Sequence, residues 1–312
     1  MRVSVDEACS RLRRGEVVAI PTETVYGLAA PLHNLKSIQR IFELKRRPSD
    51  NPLIIHLADV SDLKEQRVQT PPSLDRLTDL FWPGPLTLVL PIDPTHIPAI
   101  ARAQLPTAAF RIPNHSVAQE IARRVGPLVA PSANLSGRPS ATTVEHVEED
   151  FGTDFPIVDG GMCQEGVEST ILIYVDACWQ VARLGVLSSE QFEVVLGYRP
   201  QLYTSTQKNH PPILCPGQHY RHYAPLCKLI LGNARYDGQP DVVVGYEDRL
   251  YPGAKEVLYL GTSTHPNQVS HNLYQVLRQL DQKGIAEAWI DLNIPSHGLW
   301  ETIAERLSRA SY

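Results

Sequence analysis

The sequence predicts an α/β protein built in two unequal parts, and three observations carry that expectation. Through residues 1–197, short apolar runs ended by Pro, Gly or polar clusters alternate with stretches of helical period. Over residues 198–226 that pattern dissolves into a proline-rich segment with no sustained apolar period. Residues 227–312 then return to near-continuous apolar strands around a long helix. A chain of 312 residues is long for one core, so a large and a small domain joined by a linker is the natural division.

Taken in order, MRVSVDEACSRLRRGE reads as a short amphipathic helix with Val5, Ala8, Cys9 and Leu12 on one face. VVAIP (17–21), PLIIHLA (52–58), LTLVLPI (86–92), TAAFRIP (107–113), GPLVAPS (126–132), FPIVDGG (155–161) and STILIYV (169–175) read as strands. LKSIQRIFELKRR, SVAQEIARRVG and TTVEHVEEDFG read as helices between them. Several strands stand too close for helical crossovers, which predicts a mixed rather than a purely parallel sheet. PTETVYGLAA (21–30) is richer in Thr, Val and Tyr than turns are, and reads as an extended segment edging a cavity. A structureless loop as long as 198–226 is uncommon inside one compact unit, so it links domains or serves function. Beyond it, CKLILG, DVVVGY, EVLYLG and AWIDLN predict buried strands of a small, mostly parallel sheet, and VSHNLYQVLRQLDQKG a helix ended by Lys-Gly.

Composition narrows the function classes. Apolar residues make up 43% and charged residues 20%, and the formal charge is −5. That balance gives no general attraction to nucleic-acid backbones or anionic membranes, so an anionic ligand requires a local basic cluster. The apolar runs fall short of the roughly 20 residues of a membrane span, and the N-terminal stretch lacks the apolar core of a signal peptide. Five scattered cysteines without a CxxC pair point to a reducing cytoplasm rather than to disulfides or zinc. The eleven histidines show no HExxH spacing.

Three polar clusters stand out in the first domain. Lys45-Arg46-Arg47-Pro48-Ser49-Asp50-Asn51-Pro52 lies between a helix end and the strand that ends at His56. It either complements the helix dipole or offers a compact charge and a planar fork to phosphate oxygens. Ala130 to Ser140, APSANLSGRPS, follows a strand, and Ser132 and Asn134 project to one side of an extended segment; capping of a turn is the alternative. Gly160-Gly161 through Gly166-Val167-Glu168-Ser169-Thr170 leads into a strand, with Arg183-Leu184-Gly185 after the next one, and its glycines read most simply as making a hairpin. Neither a Walker loop nor GxGxxG occurs.

The set PTETVYGLA, KRRPSDNPLIIH, WPGPLT, FRIP, APSANLSG, GVESTI and RLG, in this order, resembles the YrdC-type domain of threonylcarbamoyl-AMP synthases. PGQHYRHYAP and GLWETIAERLSRAS resemble the long form of that family, so the resemblance runs from Val17 to Ala310. It implies a YrdC-like catalytic domain (1–197), a linker or lid over the active site (198–226) and a Rossmann-like C-terminal domain (227–312). Without the glycine fingerprint, no dinucleotide is assigned to the last.

The same resemblance implies the reaction: L-threonine, bicarbonate or CO2, and ATP give threonylcarbamoyl-AMP and pyrophosphate. The product would pass to a tRNA threonylcarbamoyl transferase modifying the adenosine beside the anticodon. Lys45 and Arg47 correspond to the family's KxR pair on the triphosphate, and Ser132 and Asn134 to its SxN pair. Asn51, Thr107, Ser140 and Arg183 fall at nucleotide contacts. Thr24, His56, Arg111, Ser169 and the backbone at Ala130 fall around threonine. Tyr223 is the lid tyrosine, with Tyr220, Arg221 and His222 as further candidates. Gln218-His219 departs from the family's more frequent Met and basic residue. Mg2+ is expected on the ATP phosphates, with no organic cofactor, no protein-held metal, no membrane and no direct tRNA contact. Tyr26 is expected as wall packing and Glu23 as a structural hydrogen-bond partner. Two rivals remain: a double-stranded RNA-binding module, opposed by the acidic balance and the lack of a Lys/Arg stripe, and a carbamoyl transferase or hydrolase, whose zinc-finger and acylphosphatase-type motifs are missing.

Overall fold

The structure, a computed structural model, describes residues 1–203, 222–233 and 236–311. Gln218, His219, Tyr220 and Arg221 of the expected lid lie outside the described residues.

In the N-terminal part the strands are β1 (Val18–Ile20), β2 (Gly27–Pro31), β3 (Ile54–His56), β4 (Leu86–Pro91), β5 (Thr107–Arg111), β6 (Leu128–Val129), β7 (Thr170–Val175) and β8 (Cys178–Arg183). Among the described residues they form an eight-stranded sheet in the order β1-β2-β6-β3-β5-β4-β7-β8. The β3–β5 and β4–β7 pairs are parallel and the others antiparallel, so the sheet is mixed, as the close spacing of its strands requires. Residues 27–31 and 155–161 differ from the sequence expectation. Gly27–Pro31, the far half of PTETVYGLAA, is a ladder strand. Residues 155–161 make only isolated bridges, from Ile157 to Arg2 and Ala19, because the single apolar pair Ile157-Val158 is too short to extend a ladder.

The helices are α1 (Val5–Arg13), α2 (Leu35–Lys45), α3 (Asp62–Glu65), α4 (Leu74–Phe81), α5 (Ser116–Val125), α6 (Val144–Phe151) and α7 (Ser189–Leu196). Asn34 caps α2 by accepting from Ser37 N at 3.1 Å. Ile38, Ile41 and Phe42 of α2 and Leu77 of α4 bury against Ile55, Leu88 and Phe110 on one sheet face. On the other face, Ala8, Cys9 and Leu12 of α1 pack with Ile121 and Ala122 of α5 over β1, β2 and β6. Ile54, Val89, Ala109 and Ile171 make a separate small cluster on that same face further along. Side chains alternate along a strand, so His56 and Arg111 share this second face with Ile54 and Ala109. They stand side by side, because β3 and β5 pair in parallel with His56 opposite Arg111.

The C-terminal part holds β9 (Lys228–Gly232), β10 (Val242–Gly245), β11 (Glu256–Tyr259), α8 (Pro266–Gln282), β12 (Glu287–Asp291) and α9 (Leu299–Ala310). Its described strands form a parallel sheet in the order β11-β10-β12-β9. Near-continuous Val, Ile and Leu suit strands covered on both faces. Leu273, Leu277 and Leu280 of α8 and Ile303 and Leu307 of α9 supply one cover.

The two parts are held together by polar contacts through α8 and α9. Arg278, fully buried, donates to Pro139 O at 2.7 Å, Asp150 Oδ2 at 2.9 Å and Glu149 Oε2 at 3.0 Å. Thr302 Oγ1 donates to Gly185 O at 2.8 Å. Gly166, at φ +76°, abuts α8 so closely that a Cβ would lie 2.2 Å from Ser270 O, so no side chain fits there. Removing one partner of a buried charge network leaves the other uncompensated, which costs about 3–5 kcal/mol. Arg278→Met should therefore lower the urea-unfolding free energy of the full chain by about 3 kcal/mol, and an unchanged midpoint would refute that role.

Candidate active site

The C-terminal ends of β3 and β5, at His56 and Arg111, open into a pocket. Counted out to its solvent-open mouth, it encloses about 710 Å³. Arg47, Arg138, Arg183 and Arg111 bring cationic groups to it, and Glu168 brings a carboxylate. Thr24, His56, Ala130, Ser132, Asn134, Ser140, Ser169, His222 and Tyr223 complete the polar and aromatic lining named from the sequence.

The first wall explains PTETVYGLAA. Thr22 Oγ1 donates to Val25 O at 2.6 Å and accepts from Val25 N at 3.2 Å, closing a turn that fixes Thr24. Thr24 Oγ1 then accepts from Arg111 Nη1 at 2.8 Å. Arg111 Nε donates at 3.1 Å to Gly84 O, the carbonyl presented by the WPGPLT segment. Glu23 Oε2 lies 2.7 Å from Arg111 Nη2, a buried charge contact whose angle falls outside hydrogen-bonding geometry. Glu23 is thus the counter-ion of Arg111. Tyr26 is more than packing: its hydroxyl donates to Gly161 O at 2.8 Å and accepts from Gly160 N at 3.0 Å, tying the glycine pair to the wall.

The second wall is the end of α2 with the APSANLSG segment. Arg46 adopts the left-handed conformation (φ 52°) and ends the helix, turning the chain so that Lys45 and Arg47 go separate ways. Arg47 lines the pocket and donates to Pro52 O at 3.0 Å. Lys45 does not line it. Its ammonium is buried and donates to Ser132 O at 2.5 Å and Asn134 O at 2.6 Å, while Lys45 O accepts from Ser136 N at 2.9 Å. Lys45 therefore holds the backbone of the Ser132–Asn134 loop, whereas the family resemblance implied a place on the triphosphate. Burial and then the Arg47 charge pull its ammonium well below the ordinary lysine value. Asn51 and Thr107 also stand outside the lining: Asn51 is buried beside Pro52, and Thr107 begins β5, about 13 Å along the strand from Arg111.

The third wall carries what the sequence missed. Glu168 accepts from Ser140 Oγ at 2.6 Å, from Arg306 Nε at 2.9 Å and from Tyr274 OH at 2.9 Å. Burial pushes its carboxyl upward, but Arg306 and then Arg183 outweigh it and leave it at about 2. Arg183 Nη2 donates to Ser169 O at 2.7 Å. Residues 168, 274 and 306 meet only through the domain contact, so no local motif could have revealed the group.

Several buried polar atoms of this pocket are left without an aligned partner among the described residues. They are Nδ1 of His56, Oδ1 of Asn134 and Nε2 of His222. A buried polar group without a partner costs about 1–3 kcal/mol, and three of them around one cavity mark a place built for a polar ligand. Burial, then the neighbouring Arg111 charge, draws the His56 imidazole from 6.5 to about 3. Burial and Arg47 draw His222 to about 4. Both rings are neutral at pH 7 and present donors and acceptors rather than charge.

Comparison with known proteins covers the whole chain. A family model described as "Telomere recombination" matches residues 10–185, and one described as "Threonylcarbamoyl-AMP synthase, C-terminal domain" matches residues 187–311. The threonylcarbamoyl-AMP synthase of Bacillus subtilis is 37% identical over 98% of this chain and 92% of its own length. That of Pyrococcus abyssi is 36% identical over 97% of this chain and 93% of its own. The crystal structure of P. abyssi Sua5 complexed with L-threonine superposes with a TM-score of 0.87 at 34% identity, covering all of this chain and 96% of the other.

The depressed His56 value gives a pH signature. Between pH 6.5 and about 3 the unfolded histidine binds a proton that the folded one does not. Stability is thus fully present above 6.5 and falls toward pH 3 by about 1.4 kcal/mol per pH unit from this group. His56→Gln should flatten the acid limb of the stability profile by about that slope; an unaltered limb would contradict the buried neutral imidazole.

Proposed function

The chain belongs to the threonylcarbamoyl-AMP synthase family, and from that premise we propose that it forms threonylcarbamoyl-AMP and pyrophosphate from L-threonine, bicarbonate or CO2, and ATP. The observation that supports this most is the pocket itself: His56, Asn134 and His222, each with an unsatisfied buried polar atom, line one cavity together with Arg47, Arg111 and Arg183. The relatives' names give no support to the RNA-binding alternative.

The chemistry assigns each wall a task. The threonine amine captures CO2 as a carbamate, a carbamate oxygen attacks the α-phosphorus of ATP, and pyrophosphate leaves with the electron pair of the broken P–O bond. Both reactants are anions, so fixed charge and directed donors must offset their repulsion. Arg47 and Arg183 take the triphosphate, with Ser132, Asn134 and Ser140 as hydroxyl and amide contacts. Arg111, its charge already balanced by Glu23, offers directed N–H groups to the threonine carboxylate, beside Thr24, His56, Ser169 and the backbone of Ala130. Lys45 holds the Ser132–Asn134 backbone in register with Arg47, and Tyr223 and His222 close the nucleotide side. Holding both reactants in place can lower the barrier by roughly 7–11 kcal/mol.

Mg2+ enters this reading only as part of ATP. The described residues contain no cluster of three His, Cys, Asp or Glu able to cage a metal, and Glu168 is already committed to Ser140, Tyr274 and Arg306. No step above is routed through the ion. The product would be handed to a transferase acting on tRNA. A cytoplasmic setting suits that role, and among the described residues no helix is long and apolar enough to cross a membrane.

With ATP and Mg2+ present, pyrophosphate release should require both threonine and bicarbonate, and omission of either should return it to background. Arg47→Ala should slow release by about 10²–10³-fold, the scale of one lost charge-stabilising group, in a protein of unchanged circular dichroism. Release that is indifferent to threonine would dismiss the reading.

A further inference from the structure

The pocket wall is completed from behind by two residues of the C-terminal part. Tyr274 lies on α8 and Arg306 on α9, and both are buried. Each touches the same two wall residues. Tyr274 donates its hydroxyl to the Glu168 carboxylate at 2.9 Å and stacks its ring on Tyr223, with centroids 5.4 Å apart and planes at 21°. Arg306 donates Nε to Glu168 at 2.9 Å and sets its guanidinium 4.9 Å from the Tyr223 ring centre. Arg306 also reaches Leu184 O at 2.7 Å, just beyond Arg183.

Two features argue that this arrangement serves the site as well as the domain contact. Glu168 passes the constraint on, since its Oε1 accepts from Ser140 Oγ at 2.6 Å and Ser140 lines the pocket. Tyr223, a bulky residue, is held at φ +65°. Such a conformation persists only where the surroundings over-determine it, and here the stacked Tyr274 ring, the Arg306 guanidinium over the Tyr223 ring and the Ala224 N–H to Gly137 O bond at 2.8 Å do so.

We propose that Tyr274 and Arg306 are positioning residues of the reaction site, reaching across the domain contact to fix Ser140 through Glu168 and to clamp Tyr223 in the pocket wall. The inference rests on the synthase reading for its substrate but not for its geometry. A loosened clamp lets water into the site. Water would then add across the carbamoyl–phosphate anhydride, its oxygen going to phosphorus and its proton to the departing carbamate. AMP and threonine carbamate result, and the carbamate breaks down to CO2 and threonine.

The test uses the full chain and Tyr274→Phe, which deletes only the hydroxyl and keeps the ring on Tyr223. KM for ATP, kcat, the ratio of AMP to threonylcarbamoyl-AMP and the melting temperature are read together. KM should rise about three- to tenfold, the range one lost hydrogen bond commands, and the AMP ratio should rise with it while the melting temperature stays close to that of the parent. Arg306→Lys, which keeps a charge but loses the flat guanidinium, should show larger changes in the same direction. Wild-type KM and wild-type ratio in Tyr274→Phe overturn the proposal, and a lowered melting temperature with unchanged kinetics assigns the pair to domain docking alone. Calorimetric ATP affinity of both variants separates this from the synthase reading: it should weaken even in an assay where the parent makes no threonylcarbamoyl-AMP, and unweakened binding there overturns the clamp.

Discussion

Cations drawn out of water must find fixed oxygens, and that constraint shapes this molecule. A pocket for anionic ligands gathers positive charge where neighbouring cations repel one another and burial penalises each. Each cation here has its own oxygen partner. Lys45 rests on the carbonyls of Ser132 and Asn134, and Arg111 on Glu23, Thr24 and Gly84. Arg138 faces Asp150, Arg183 the Ser169 carbonyl, and Arg306 the Glu168 carboxylate. Every one of these partners lies in or beside a segment that forms a wall. The charges therefore set the positions of the loops, and the loops in turn aim the donors. An overall charge of −5 and a cationic hollow are compatible for this reason.

The same constraint makes one site out of two domains. Glu168 links Ser140 of the sheet domain to Tyr274 and Arg306 of the helices behind it. Gly166, two residues earlier, lets the backbone approach α8 closely enough for those contacts to form. Arg278 closes a second network with Asp150, which also receives Arg138 from the pocket side and the Leu135 N–H of the Ser132–Asn134 loop. Charge pairs in low dielectric are sensitive to small displacements, so rigid docking and a well-formed pocket are two results of one set of contacts.

Much of this was legible in sequence, for reasons that differ by residue. Strands such as LTLVLPI and TAAFRIP announce themselves because apolar residues fill both faces of a central strand, and their short separations already imply a mixed sheet. Thr24, Arg47, Ser132 and Ser169 could be singled out because the polar segments that contain them match, in order, the motifs of the family that the sequence resembles. Gly27–Pro31 was obscured by the polar cluster it follows, and FPIVDGG resembled a strand although it makes only bridges. The inward turn of Lys45 depends on the left-handed Arg46 that separates it from Arg47, and a run of three basic residues does not reveal that. The role of Glu168 was hidden most completely, because Tyr274 and Arg306 lie more than a hundred residues from it and only the docked helices bring them there.

The central claim is that a nucleoside triphosphate and a hydroxylated amino acid meet in this one hollow. A crystal of the full chain grown with L-threonine and a non-hydrolysable ATP analogue tests it most directly. The account predicts triphosphate oxygens on Arg47 and Arg183 and the amino-acid carboxylate on Arg111, within contact distance of each other. Nucleotide found solely against the C-terminal sheet, with the pocket between Arg47 and Arg111 holding only water, would contradict it.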